Sequence, residues 1–448
     1  MRAPSARGGV IFATLLALGG LIRVAALPLP GTGDMGVWKL WTYNGAVHPP
    51  GELYGTNPNP ANWRILEFNG GTGNVVYPPF SLYELSAVGR IFKIFYPSFP
   101  DNTALTVAIK LLVVCSEVGF LFLIFLFVKR KLGVQAGRWA ALAYWLNPAM
   151  ILAGSMLGYL DALFVLPAAA AFLAATEGWL LTSGALIAVA AWTKPQGLVL
   201  VPAVILTAWA VGNWRVGLAR ISSATAGLVL GTVVSIAPVI SAGGWPSMAL
   251  SLSRLGHHDM LSGNACNVWW VIGYALRVQY AVHDLGWWGA VTMRPRILGI
   301  GRVIEMGYPN PRMVGTLLAV GAMTWALWTA RKAARDWSIV AAVGAFLMHA
   351  YAMLAAQVHE NHLYAAVPLL VIAAAARPRY RPVFWSLSAI FALNLNLFYG
   401  ISEFQFRGRY MIPSSITVID LTVLVAVANC LVFAWHGLVL RRECALVD

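Results

Sequence analysis

Charge is what this chain has least of. Of its 448 residues 17 are acidic and 31 basic, so charged side chains make up 11% of the whole, against roughly a quarter in soluble domains. That scarcity excludes a soluble globular enzyme, and the composition also excludes disorder, collagen and coiled coil. Cysteine is equally sparse. Cys115, Cys266, Cys430 and Cys444 form no CxxC and no paired spacing, which excludes a disulfide framework and a zinc-cysteine site. Internal repeats are missing, which argues against repeat arrays and against the inverted-repeat build of many transporters. The net charge of +14 does not indicate nucleic acid, because the basic residues do not cluster with interleaved aromatics on one element.

What the chain does have is apolar length. Hydrophobic residues make up 59% of it, gathered in uninterrupted blocks of the size a span needs, about 20 residues. The blocks predict an all-α polytopic membrane protein, a single integral membrane domain over 1–448 with about twelve transmembrane helices. The expected spans are 10–28, 105–128, 139–155, 160–176, 179–193, 196–212, 221–241, 312–330, 337–357, 363–376, 382–400 and 416–439. The first block follows Arg2 and Arg7 in the manner of a secretory signal. The many later blocks make a retained signal anchor the expectation.

Short basic clusters set the orientation. Lys129, Arg130, Lys131 and Arg138 separate the second and third blocks, and Arg215 and Arg220 the sixth and seventh. Arg331, Lys332 and Arg335 lie between the eighth and ninth, Arg377, Arg379 and Arg381 between the tenth and eleventh, and Arg441 and Arg442 after the last. With twelve spans every one of these clusters faces the cytoplasm, as the positive-inside rule requires. The other face then receives two long extracytoplasmic loops, 29–104 and 242–311. The first is rich in Pro, Gly and Asn, as in Gly55-Thr-Asn-Pro-Asn-Pro, and loops of that length are usually functional. Two of its stretches, Met35 to Tyr43 and Ser81 to Phe95, read as interfacial helices, the first with Trp38 and Trp41 placed for the headgroup layer.

The same topology gathers the polar residues of the apolar regions at the outer face: Asp34, Asp161, Lys194, His257-His258-Asp259 and His359-Glu360. Such groups are costly near lipid and usually functional. Each also has a plain structural reading. Asp34, after Gly31-Thr-Gly, is placed to cap the helix that starts at Met35. Asp161 is placed to cap its helix or to pair with Lys194, and Lys194 is placed to snorkel from a span end. His359 and His362 have the spacing of a metal pair, but no third ligand clusters with them. A site of carboxylates, imidazoles and a lysine at the interface suits a substrate that is part lipid and part anionic head group.

Five stretches together resemble the GT-C superfamily of glycosyltransferases. The chain is most similar to the dolichyl-phosphate-glucose-dependent glucosyltransferases of N-glycan assembly and to bacterial relatives of the second mannosyltransferase of GPI-anchor synthesis. The stretches are Gly33-Asp34-Met-Gly-Val-Trp-Lys39-Leu-Trp41; Val76-Tyr77-Pro78-Pro79-Phe80-Ser-Leu-Tyr83; Asn147-Pro148 with Asp161 and Phe164; Lys194-Pro195-Gln196 through Pro202; and His359-Glu360-Asn361-His362-Leu-Tyr364 through Pro368. Asn267 and Trp269 also match. Gly36, Val76, Asn361 and Ser262-Gly263-Asn264 stand where the glucosyltransferases carry charged residues.

The resemblance implies an inverting hexosyltransferase, moving mannose or glucose from a polyprenyl-phosphate donor to a hydroxyl of a lipid-linked glycan, a cell-envelope polymer or a protein. It implies Asp34 as the base that takes the acceptor proton. It implies His359, Lys194 and Arg254 as donors to the departing phosphate. Glu360 would orient His359, Asp161 would hold Lys194 or contact the sugar, and Tyr77, His257, His258, Asn267 and Trp269 would support the site or bind sugar. No cofactor is expected and a divalent metal stays open. The expected location is the plasma membrane of a prokaryote, with the site on the extracytoplasmic side. Two other classes fit in part. A transporter or flippase of lipid-linked sugars would explain the spans, though its polar groups belong at the midplane. A lipid-carrier polymerase or ligase would explain Arg254, His257 and His258 in a long outer loop.

Overall fold

The computed structural model describes residues 6–55, 64–210, 213–255, 257–293, 296–401 and 420–447. Arg2, most of the Gly55–Pro60 run, residues 211–212 and the first residues of the 416–439 block lie outside them. The apolar blocks are helices. Seven described helices are long and apolar enough to cross a membrane, and four shorter apolar ones lie at 161–176, 180–193, 195–209 and 360–376. The protein is an all-α polytopic membrane protein. Among the described residues β structure is confined to two small two-stranded ladders. The chain divides into two compact units, Met1–Gly256 and His257–Asp448.

The first unit holds α1 (Ala6–Ala26), α2 (Asp34–Val47), α3 (Pro79–Phe95), α4 (Thr103–Leu132), α5 (Val134–Trp145), α6 (Pro148–Met150), α7 (Asp161–Thr176), α8 (Leu180–Thr193), α9 (Val201–Trp209), α10 (Trp214–Ser241) and α11 (Trp245–Arg254). A hairpin, β1 (Leu66–Phe68) with β2 (Gly71–Gly73), sits between α2 and α3. In this unit α8 packs closely on α10 because the contact surface is made of small residues. A side chain at Gly184 would strike the Ala224 carbonyl, and one at Gly227 the Leu181 carbonyl. In lipid, where apolar side chains gain nothing by leaving the tails, such close backbone approach is what holds helices together.

The expected span 139–155 is broken. Asn147 accepts a hydrogen bond from Ala149 N at 3.0 Å and so caps a new start at Pro148, whose ring cannot continue the preceding helix. The turns that follow, Ile151–Met156, are a π-helix, a form that recurs at functional sites. Gly154 in that stretch packs on Glu117, leaving no room for a side chain. Glu117 of α4 meets Arg23 of α1 at 2.8 Å, and both side chains are 0% exposed. Arg23 also donates to the Trp145 carbonyl at 2.6 Å and lies over the Trp145 ring at 3.8 Å. This ion pair fixes α1, a helix with much of its surface exposed.

The second unit holds α12 (Val268–Thr292), α13 (Ile300–Glu305), α14 (Pro311–Ala330), α15 (Trp337–Leu354), α16 (Ala366–Ala376), α17 (Tyr380–Tyr399) and α18 (Leu421–Cys444). Its ladder pairs β3 (Ser262–Gly263) in parallel with β4 (Val358–His359). α15 and α16 are almost wholly buried and form its centre. At one end Arg377 bonds Asp336 at 2.7 Å and Glu443 at 2.8 Å, and Arg379 reaches the same Glu443 at 3.0 Å. α12 is kinked at Gly286, and Trp287 and Trp288 beside the kink are 69% and 66% exposed. Trp328 is also exposed at a helix end, with the Arg331 guanidinium 3.7 Å from its ring, the pairing of aromatic and basic residues that marks membrane–water boundaries.

The buried pair in the first unit yields a test. Glu117→Leu strands the Arg23 charge and lowers stability by about 3–5 kcal/mol, whereas Arg23→Met with Glu117→Leu recovers most of that loss. Denaturant unfolding in detergent measures both.

Candidate functional site

In the first unit two turns meet. Thr32 N donates to the Leu157 carbonyl at 3.1 Å. Gly31 has φ +85, and a Cβ there would lie 2.8 Å from the same carbonyl, so the position requires glycine. Lys110, buried in α4, holds both turns: its Nζ donates to Leu29 O at 2.5 Å and to Met156 O at 2.7 Å. One turn leads into Asp34 and the other into Asp161. Sequence position suggests that Asp34 caps α2. The cap is instead Gly33, and Asp34 is the first helical residue. Its exposed carboxylate stands at the positive end of the α2 dipole.

Asp161 opens α7 and pairs with Lys194, Oδ1 to Nζ 2.7 Å, with side chains 1% and 5% exposed. The lysine therefore does not reach for water but stays inside, near the Phe164 ring at 6.0 Å. Ser81 Oγ donates to the Thr193 carbonyl at 2.6 Å, which docks the Pro78-Pro79 start of α3 on the end of α8 beside Lys194. The Tyr77 ring stands 5.3 Å from Trp38 and 5.4 Å from Trp41 on α2. Lys39 of α2 bonds Asp101 at 2.6 Å. Burial pushes the Asp101 carboxyl up, but hydrogen bonds from Lys39 and Asn69 outweigh it and leave the group below its ordinary value. Asp34, Tyr77, Asp161 and Lys194 thus lie on segments bound to one another. Arg254 is elsewhere on the chain, exposed at the last residue of α11.

In the second unit the centre is His359. It ends β4, and Gly263 of β3 packs so closely that a Cβ would lie 2.7 Å from His359 Nδ1. Asn264 bridges to His359 as well. The rings form an edge-to-face series, His258 to His359 at 5.5 Å and His359 to His362 at 5.8 Å. Tyr351 stacks on His362 and its hydroxyl lies 3.3 Å from His362 Nδ1. Burial, with His359 and Arg312 nearby, lowers the His258 imidazole below its ordinary value. Its carbonyl accepts from Arg312 at 3.3 Å and from the Gln357 side chain. Glu360 is buried directly after His359, and His257 is exposed beside His258. Asn267 and Trp269 serve the frame. Asn267 caps α12 and donates to Ala352 O at 3.1 Å, and Trp269 Nε1 donates to Leu354 O at 2.7 Å. Among the described residues no three His, Cys, Asp or Glu side chains form a metal-holding group.

Several residues escaped sequence reasoning. Lys110 and Glu117 stand seven apart in one apolar block, and that spacing on a single helix face was the available signal. Gly263, Gln357 and Tyr351 gave none, since each acts through contacts distant in sequence. Glu84 of α3 has a buried carboxyl oxygen with no hydrogen-bond partner, and burial pushes this carboxyl up to about 8.

Two expectations follow. Gly263→Ala forces the His359 ring away from β3, and the His359 signals shift in NMR of the imidazole-labelled protein. For Glu84 the native state binds the proton more tightly than the unfolded chain, so its contribution is present at low pH and is lost as pH rises from about 4.5 to about 8. Glu84→Gln, a mimic of the protonated acid, therefore melts close to wild type at pH ~5 and higher than wild type at pH ~9.

No family model and no curated sequence matches the chain. Among solved structures, it is similar to ArnT from Cupriavidus metallidurans bound to undecaprenyl phosphate, at TM-score 0.53 and 16% identity, over 98% of this chain and 78% of that one. The oligosaccharyltransferase of Archaeoglobus fulgidus, tethered to an acceptor peptide, aligns over 97% of this chain and 55% of its own at 12% identity, with a TM-score of 0.40. The likeness to ArnT extends over nearly the whole chain, and the protein shares the fold of that structure.

Proposed function

We propose that the protein is an inverting glycosyltransferase that moves a hexose, mannose or glucose, from a polyprenyl-phosphate donor to a hydroxyl of a lipid-linked glycan or cell-envelope acceptor. The reaction would run at the extracytoplasmic face of a prokaryotic plasma membrane. The observation that carries the reading is the exposed Asp34 carboxylate at the start of α2, on a turn bonded through Thr32 and Lys110 to the turn that leads into the buried Asp161–Lys194 pair. That arrangement stands on a fold shared with a protein that binds undecaprenyl phosphate.

The chemistry needs no nucleotide, because C1 of the sugar already carries a phosphate leaving group. Asp34 takes the proton of the acceptor hydroxyl as its oxygen attacks C1. The C1–O bond to phosphate breaks as the new bond forms, inverting C1 as a single displacement does, and polyprenyl phosphate departs. Candidate donors to that phosphate are Lys194 and Arg254 in the first unit and His359 in the second. Asp161 holds Lys194 in the orientation its ion pair defines, and Glu360 orients His359. Tyr77, set edge-on to Trp38 and tilted against Trp41, offers an aromatic wall for a sugar ring, with His257 and His258 as further polar contacts. The apolar surfaces of the spans accept the polyprenyl tail.

Asp34→Asn keeps the size of the side chain and removes the base. Transfer from a polyprenyl-phosphate hexose to acceptor, followed with purified protein, falls by about 10²–10⁴-fold, the usual share of general-base catalysis, with donor binding retained. Unchanged transfer would remove Asp34 from this role.

A further inference from the structure

The loop that carries β3 is held in place from inside the helix bundle of the second unit. Its backbone polar groups find their partners on α17 and α18. Asn394 of α17 makes two bonds to it: its Oδ1 accepts from Cys266 N at 2.9 Å and its Nδ2 donates to Asn264 O at 2.8 Å. Asn429 of α18 donates from Nδ2 to Cys266 O at 2.8 Å. Asn394, Asn429 and Cys266 are buried, and Asn264 is half-buried. Asn264 also donates to the Tyr399 hydroxyl at 3.1 Å.

Behind Asn429 stand two fully buried histidines. The Cys266 carbonyl can only accept, so Asn429 presents its amide NH₂ there and its Oδ1 to the other side. On that side His349 Nε2 lies 3.3 Å away and must be the donor. In a neutral His349 the Nδ1 then carries the lone pair. His436 Nδ1, 3.2 Å from it, is the matching donor. Each donor and acceptor in the series is thus determined by the one before it, from the loop to the centre of the bundle. Phe346 and Phe433 close around the pair at ring distances of 5.2 Å and 5.1 Å. Polar side chains inside an apolar bundle are costly unless they find partners; here every one but His436 Nε2 does, and the bonds lead to one loop.

What that loop positions is His359. β3 pairs with β4, Gly263 lies against the His359 ring, and Asn264 bridges to it. We propose that Asn394 and Asn429, with His349 and His436 behind Asn429, are positioning residues for His359. They act through Cys266, Asn264 and the β3–β4 pairing. The proposal rests on the reading of His359 as a donor-phosphate ligand only for its effect on turnover. Its structural half stands apart from that reading.

Hydrogen exchange on the full-length protein in detergent separates the two. Asn429→Leu keeps the bulk and removes both bonds. In this variant, exchange of the peptides covering 261–267 and 356–362 accelerates about tenfold or more while α15 and α16 keep their protection. His436→Phe, which removes one donor deeper in the series, shifts the same peptides in the same direction and serves if the first variant does not assemble. Unchanged exchange in those peptides, or acceleration spread evenly over the helices of the unit, overturns the proposal. Donor turnover supplies the second readout. Asn429→Leu slows it in the wild-type background and adds nothing in a His359→Gln background, since residues acting through a shared partner are not additive. Additive losses overturn the proposal. Wild-type protein that turns over no polyprenyl-phosphate sugar overturns the functional reading instead, and the exchange result still decides the positioning role.

Discussion

Lys110 holds the first unit's candidate chemistry together. Its ammonium lies within a span and binds two backbone carbonyls, Leu29 and Met156. A charge in such surroundings is tolerated only where the protein itself answers it. The two turns that answer it become fixed to each other, and Asp34 and Asp161 are each a few residues beyond them. Beside that ammonium, the two turns are joined by the hydrogen bond from Thr32 to Leu157 and by the close packing of Gly31 on the same carbonyl. Arg23 and Glu117 obey the same constraint deeper in the unit, where the π-helical stretch with Gly154 makes room for the carboxylate.

The second unit solves the same problem with neutral groups. Asn394, Asn429, His349 and His436 lie buried among its helices, and their bonds run toward a loop. Four charged residues, Asp336, Arg377, Arg379 and Glu443, satisfy each other at one end. His359 is approached by His258 and His362 edge-on. His258 is kept toward its neutral form by burial and by the positive neighbours His359 and Arg312.

Much of this was legible in the sequence, for physical reasons. Most positions of the apolar helices followed from apolar length, because a span must be that long whatever it packs against, whereas α12 falls inside the stretch read as the second long outer loop. The break at Asn147-Pro148 was visible as a motif but not as a break, since the residues on both sides are equally apolar. The pairing of Asp161 with Lys194 was open as one of two readings, and burial decided it. Asp34 was legible as a residue but not in its role at the helix start, because Gly33 takes the cap. The answering charges were hidden. Arg23 and Glu117 are 94 residues apart, and Asn429 and Cys266 163 apart, so neither local pattern nor spacing announces them. What periodicity reports is which face a residue is on, and a partner from another helix is outside its reach.

The substrate we propose is a sugar carried on a polyprenyl phosphate. The most direct measurement is release of free polyprenyl phosphate when the purified full-length protein is incubated, with acceptor-bearing membrane lipids, with a panel of polyprenyl-phosphate hexoses and, in parallel, nucleotide hexoses. The account predicts release from at least one polyprenyl-phosphate mannose or glucose and no turnover of the nucleotide sugars. Turnover of a nucleotide sugar, or no release from any member of the panel, would contradict it.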